Sequence, residues 1–180
     1  ERAEIAKKSL NLILNNDSAK HSKIIIGNSL KKEEIKLDNE IRFSLIHLDP
    51  ARPTDIQSHT ISEMQPPPIE TLNLWKNLLI EKGGIILDLS PRLSITQCKN
   101  LQNELAEILP NYEQTWEWSS QGRGRVDRLS VWLGNVASKN NASRYVRNHP
   151  QNIEKSIIVE ANKLPWDYID LKLGDIEVNI

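Results

Sequence analysis

Cysteine occurs once in 180 residues, as Cys98, so neither an internal disulfide nor a cysteine zinc cluster can form. A reducing, cytoplasmic setting is the expectation that follows. No apolar run approaches the roughly 18 residues of a membrane-spanning helix, and no stretch reads as a secretory signal. Basic excess is missing too. Lys and Arg number 23 against 24 Asp and Glu, for a net charge of −1. Any nucleic-acid contact must therefore be local. No second histidine or cysteine stands at metal-ligand spacing from His47, so no metal is expected. There is no Walker loop or Gly-x-Gly-x-x-Gly to support another nucleotide-binding enzyme, and no internal repeat. What is present is ordinary for a folded domain. Hydrophobic residues make up 38% and charged residues 26%, enough for one sizeable core.

The organising stretch is 44–52, Ser-Leu-Ile-His-Leu-Asp-Pro-Ala-Arg. Its short apolar run fits a buried strand. Pro50 cannot donate to a ladder, so pairing should stop there, with Asp49 at the strand's carboxyl end. In open α/β sheets that rim is where ligands bind. Asp49 can also be a turn-initiating acid before proline. Arg52 offers a planar fork of donors for a phosphate or carboxylate, or a structural tie to Asp49 or Asp55. His47 shares a face with Asp49 by strand alternation and is expected to be a packed core histidine.

Leu48-Asp49-Pro50-Ala51-Arg52 resembles the motif after the fourth strand of class I S-adenosylmethionine (SAM)-dependent methyltransferases, in the branch with a C-terminal THUMP-like domain. It is also similar to the Asp-Pro-Pro-Tyr motif of amino-methylating enzymes, with Ala51 and Arg52 in place of the second Pro and the Tyr. The resemblance implies a three-layer Rossmann-like sheet, mostly parallel, ending in an antiparallel strand pair. It implies SAM as cofactor and Asp49 and Pro50, with Arg52, at the acceptor. Asp49 would touch both cofactor and acceptor.

Upstream, 1–15 places Ala3, Ala6, Leu10, Ile13 and Leu14 at helical spacing and looks like the methyltransferase helix after the second strand. Residues 23–27 contain Ile24-Ile25-Ile26, fit for a doubly buried third strand. In the family that strand ends in Gly-Asp, whose acid bonds the adenine amine. Asn28 matches with an amide that can still accept, or is a turn asparagine. Residues 31–39 read as a loop or short solvated helix.

Downstream, 53–68 is polar and ends in three prolines, an exposed and stiff loop. Residues 69–82 carry Leu72, Trp75, Leu78 and Leu79 on one helical face, with Gly83-Gly84 as a C-terminal stop. A buried strand over 85–89 follows, then Ser90-Pro91. The family shows Lys-Leu-Ser-Pro there. Asp88 replaces the Lys, and Ser90 is a candidate substrate contact. This strand–helix–strand unit implies a right-handed parallel crossover. A helix over 96–109 has Leu101, Leu105, Ile108 and Leu109 as its stripe, with Cys98 as a small packed residue. Runs over 112–120 and 126–134 read as an antiparallel pair, with Trp116 and Trp118 on one face and Leu129, Val131 and Leu133 on another. Between them, Arg123 and Arg125 lie in a Gly-Arg-Gly-Arg loop, either a solvated turn or a phosphate contact.

Residues 136–152 read as linker, 153–161 as a β-branched run, and 173–178 resemble the start of the THUMP-like domain. The expected division is a partial methyltransferase domain over 1–137, then linker and accessory domain over 138–180. The Gly-rich loop and ribose-binding acid of the family would precede Glu1. The expectation is thus a fragment lacking the first two strands, with a gap in its sheet beside 24–26, unstable and inactive alone. By analogy with THUMP-bearing enzymes, methyl transfer to a base amine or ring nitrogen of tRNA or rRNA is implied. The alternative is a non-catalytic Rossmann-like module binding RNA or protein.

Overall fold

The computed structural model describes residues 4–5, 8–9, 22–38, 40–51, 60–122, 125–149 and 151–169. The chain forms two compact units, Glu1–Glu40 and Ile41–Ile180.

In the first unit, Glu4, Ile5, Lys8 and Ser9 are helical, as the spacing predicts. The apolar stripe beside them falls outside the described residues. The strand expected over 23–27 does not form. Residues 22–26 have no regular structure, and Ile24 and Ile26 are 36% and 77% exposed. A β-branched run lowers the cost of extension, but extended backbone becomes strand only when a partner strand takes up its amides, and none does so among the described residues. A single 3-10 turn over Lys32–Glu34 follows.

The second unit is an α/β fold built on one open six-stranded sheet. Its strands are β1 (Phe43–Leu48), β2 (Leu79–Leu89), β3 (Gln114–Ser120), β4 (Arg128–Gly134), β5 (Ser143–Arg147) and β6 (Ile157–Ala161), in the spatial order β1-β2-β4-β3-β5-β6. β1 runs parallel to β2, and β4 runs antiparallel to both β2 and β3. β5 is parallel to β3, and β6 antiparallel to β5. The sheet is therefore mixed, not mostly parallel. The expected antiparallel 112–120/126–134 pair is present.

Three helices complete the unit: α1 (Pro68–Trp75), α2 (Ile95–Ile108) and α3 (Pro165–Ile169). Leu72, Leu101, Leu105 and Trp166 from the helices join Ile85, Leu87, Leu89, Trp116, Leu129, Val131 and Leu133 from the sheet in one buried core. The strand residues belong to a single face by alternation. Within this unit the core thus makes two layers, where three were expected. The stripe read along α2 is the one that packs, and Cys98 is buried beside it. Ser94 and Gln97 close a capping box at the start of α2, and Lys76 Nζ donates to the Ile108 carbonyl at its end, 3.0 Å. Both satisfy helix-end groups that would otherwise lack partners.

Four local expectations need correction. The helix read over 69–82 stops at Trp75, a 3-10 turn spans Lys76–Leu78, and β2 begins at Leu79. Gly83-Gly84 is consequently inside a strand and caps nothing. Phe43 and Leu79 pair across β1 and β2, so sheet formation overrides a helix-compatible spacing. Gly84 has its own use: a Cβ there would lie 2.8 Å from Val136 Cγ1. Second, 136–152 is more than linker, since it contains β5. Third, the proline-rich loop is only partly exposed. Met64 is buried, and Pro68 opens α1, where proline's missing N–H is harmless. Fourth, β1 is buried on one face only. Leu45 is exposed, and β1 and β6 form the two sheet edges. Among the described residues no helix is long and apolar enough to cross a membrane.

Gly134 tests the geometry of the turn that follows β4. Its φ is +68°, and a Cβ would come 2.7 Å from Tyr112 Cδ2 and 2.8 Å from the Gly83 carbonyl oxygen. Gly134→Ala is expected to lower unfolding free energy by more than ~1 kcal/mol, measured by denaturant titration. An unchanged midpoint would contradict this turn.

Candidate functional site

The carboxyl ends of β1, β2 and β3 share one rim with the amino end of antiparallel β4. Asp49 follows directly after β1 and is exposed, while Pro50 is buried. Pairing does stop at Leu48↔Leu87; beyond it Ala51 makes an isolated bridge to Gln65. Ser90 lies after β2 on the same rim, but it is buried and its hydroxyl accepts the Arg92 N–H at 3.2 Å, within a turn. Arg125 is exposed, with Nε 3.0 Å from Asp127 Oδ1. Arg52 and Arg123 lie outside the described residues. Asn28 belongs to the first unit, and its Oδ1 accepts the Leu30 N–H at 3.0 Å, the turn role rather than a free amide oxygen.

The structure builds a second cluster that the sequence did not single out. Asp88 is 3% exposed on the sheet face away from the helices. Across the β1–β2 ladder His47 Nε2 stands 3.1 Å from its Oδ2. Across the β2–β4 ladder Ser130, the register partner of Asp88, donates to Oδ1. Arg128 Nη1 lies 3.6 Å from Oδ2. Burial alone would raise the Asp88 carboxyl, but the Ser130 and His47 hydrogen bonds and the nearby positive charge outweigh it and hold it below the usual value of 3.8. Of these partners Arg128 counts least, because it is exposed and screened. His47 is accordingly no packed core histidine. It is 52% exposed and held from one ring nitrogen by a buried acid.

Around this cluster runs a cleft of about 680 Å3, which also includes Glu117, Trp132 and Arg144. Trp132 Nε1 is buried with no acceptor among the described residues, so a water or ligand there would meet a donor. Farther along, Arg144 bridges Glu117 at 3.2 Å and Glu160 at 2.9 Å, tying β3, β5 and β6 together. No group of three or more metal-ligating side chains occurs among the described residues. Burial pushes the Cys98 thiol up to about 11, which leaves it an unreactive packing residue.

One signal for the cluster was available beforehand. An acid in the middle of the apolar run Ile85–Leu89 is costly unless paired, and a paired acid implies donors on the flanking strands. Which donors could not be read without the register.

Comparison with protein-family models, with curated proteins and with solved structures finds no match.

Asp88→Asn is expected to cost about 1.5–3 kcal/mol near neutral pH, the range for hydrogen bonds to a charged group. Because the folded carboxyl titrates below 3.8, its contribution is complete above that pH and disappears as pH falls through the lowered value. The stability gap between parent and variant should therefore narrow below pH 3.8 in denaturant titrations. A gap independent of pH would contradict an ionised Asp88.

Proposed function

We propose that this chain carries the acceptor-side half of a SAM-dependent methyltransferase sheet, with RNA as the acceptor and a cytoplasmic setting. The observation that supports this most is the strand order at the rim. Two parallel strands, β1 and β2, are followed by an opposed strand, β4, inserted before β3. Asp49 is exposed directly past the carboxyl end of β1. The antiparallel pair beside parallel strands supports one part of what the resemblance carried by Leu48-Asp49-Pro50-Ala51-Arg52 and by Ser90-Pro91 implies.

Asp49 would accept from the acceptor amine and strip its hydration. Buried Pro50 would hold the turn that presents it. Rate would come from holding the nucleophile in line, with little proton transfer needed. SAM, when bound, supplies an electrophilic methyl on a cationic sulfur. Asn28 Oδ1 keeps a second lone pair for an adenine amine beyond the one used by Leu30 N–H. Arg52, Arg123 and Arg125 remain the proposed substrate contacts; Ser90, buried and engaged by the Arg92 N–H, is not retained.

The second reading is a non-catalytic RNA- or protein-binding module. It is favoured by the engagement of Asn28 in its own turn, and by Asp88 standing paired where the family pattern has Lys.

Calorimetric titration with SAM and with its demethylated product separates the two. Under the methyltransferase reading the protein should bind both ligands. Asp49→Ala should then lower methyl transfer to RNA by about 100-fold or more, with SAM affinity little changed. Absence of SAM binding, or unchanged turnover in the variant, would overturn the methyltransferase proposal.

A further inference from the structure

Among the described residues no helix covers the helix-side face of the sheet as far as β6. Trp166 of α3 packs edge-on against Trp116, with centroids 5.1 Å apart at 88°, and against Trp118 at 6.3 Å. Beyond Trp118 the same face continues as two cross-strand rows. One is Trp118, Tyr145 and Val159; the other is Ser120, Arg147 and Ile157. Tyr145 stacks on Trp118 at 5.3 Å and 16°, yet 40% of it is exposed. Val159 and Ile157 beside it are exposed as well. Gly122, Arg125 and Val126 border the same hollow, about 490 Å3 in volume. The φ of Gly122, +101°, suits a residue without a side chain.

The charged side chains that line this shelf among the described residues are Arg125 and Arg147. No carboxylate lines it among the described residues. Arg125 is paired with Asp127, but Arg147 has no carboxylate partner among the described residues. Lys163 stands over the nearby Tyr168 ring at 5.8 Å. A flat, ordered aromatic surface with cations at its margin suits a planar ring that carries a negative group beside it. The floor offers ring faces and aliphatic surface and few hydrogen-bonding groups, so it would not read base edges. Its openness and peripheral charge favour a polymer with successive phosphates over a free mononucleotide.

We propose that Trp118, Tyr145 and Arg147 form a stacking shelf for an unpaired base of single-stranded nucleic acid, with Arg147 meeting an adjacent phosphate. Base–aromatic stacking of this kind is sequence-tolerant. The proposal requires no methyl transfer: Trp118, Tyr145 and Arg147 are not among the residues proposed to meet cofactor or acceptor, although Arg125 borders the shelf and is also a proposed acceptor contact.

The test is fluorescence anisotropy of the protein with a labelled single-stranded RNA of about 12 nucleotides, across a salt series. Parent protein should bind, with tryptophan fluorescence quenched on saturation. Tyr145→Ala should weaken binding roughly 5- to 100-fold, and Tyr145→Phe should stay near the parent, since the ring face is kept. Arg147→Ala should reduce the salt slope by about one counterion, whereas Lys139→Ala, outside the shelf, should not. A uridine monophosphate titration should show binding at least 10-fold weaker than the oligomer. The proposal is overturned if the parent fails to bind, if the mononucleotide binds as tightly, or if Tyr145→Phe loses as much as Tyr145→Ala. It is equally overturned if Arg147→Ala leaves the salt slope unchanged, a readout that holds even if Tyr145→Ala does not fold. SAM titration reports separately, so either proposal can fail alone.

Discussion

The register of β4 between β2 and β3 is the constraint on which the rest depends. With Leu87 opposite Val131 and Trp116 opposite Val131 on the far side, Ile85, Leu87 and Leu89 of β2, Leu129, Val131 and Leu133 of β4 and Trp116 of β3 all point into the helices. The same register sets Asp88 opposite Ser130. A slip of one residue would exchange the two faces, placing Arg128, Ser130 and Trp132 in the core and the core residues on the open face. One pairing therefore decides both the buried apolar layer and the polar cluster behind it. Desolvation of Asp88 is tolerable only because the register that buries it also delivers its donors.

At the other end of the sheet, cohesion comes from aromatic contacts and backbone-directed hydrogen bonds. Thr115 receives the Ser138 N–H at 2.8 Å and donates to the Asn141 carbonyl at 2.8 Å, which fixes the approach to β5. Ser143 donates to the Lys163 carbonyl, and Trp166 Nε1 donates to Gln102 Oε1 at 2.7 Å. These bonds dock the short helix α3 beside Trp116 and end the helical layer there. The aromatic shelf is a by-product of that ending. β5 and β6 extend the sheet past the last helix, so Tyr145 has a stacking partner beneath it and nothing described above it.

The elements that were legible were those whose signals are local. The stripe of α2 and the alternation in β3 and β4 depend on neighbours within a few residues, and the structure repeats them. The β-branched run at 24–26 had the same local signal and formed no strand, because extended backbone needs a partner and none pairs with it among the described residues. The overextended first helix shows the converse. Leu78 and Leu79 suited a helix, but Leu79 is taken by pairing with Phe43. β5, reading Ser-Arg-Tyr-Val-Arg among Asn and Ser, had almost no local signal. It is a strand because β3 supplies a ladder.

At the site the division is similar. The residues alone determined that pairing would end at Pro50 and leave Asp49 past the carboxyl end of its strand, since a proline without N–H ends a ladder wherever it stands. They also determined that Cys98 would be a packing residue. Only the tertiary structure decided that Asp88 would be served by His47 and Ser130, residues 41 and 42 positions away, and that Ser90 would be closed into its own turn. It likewise decided that Tyr145 would lie on Trp118. Each of these is a contact across strands, fixed by register and by where the helices stop, and no spacing along the chain encodes either quantity.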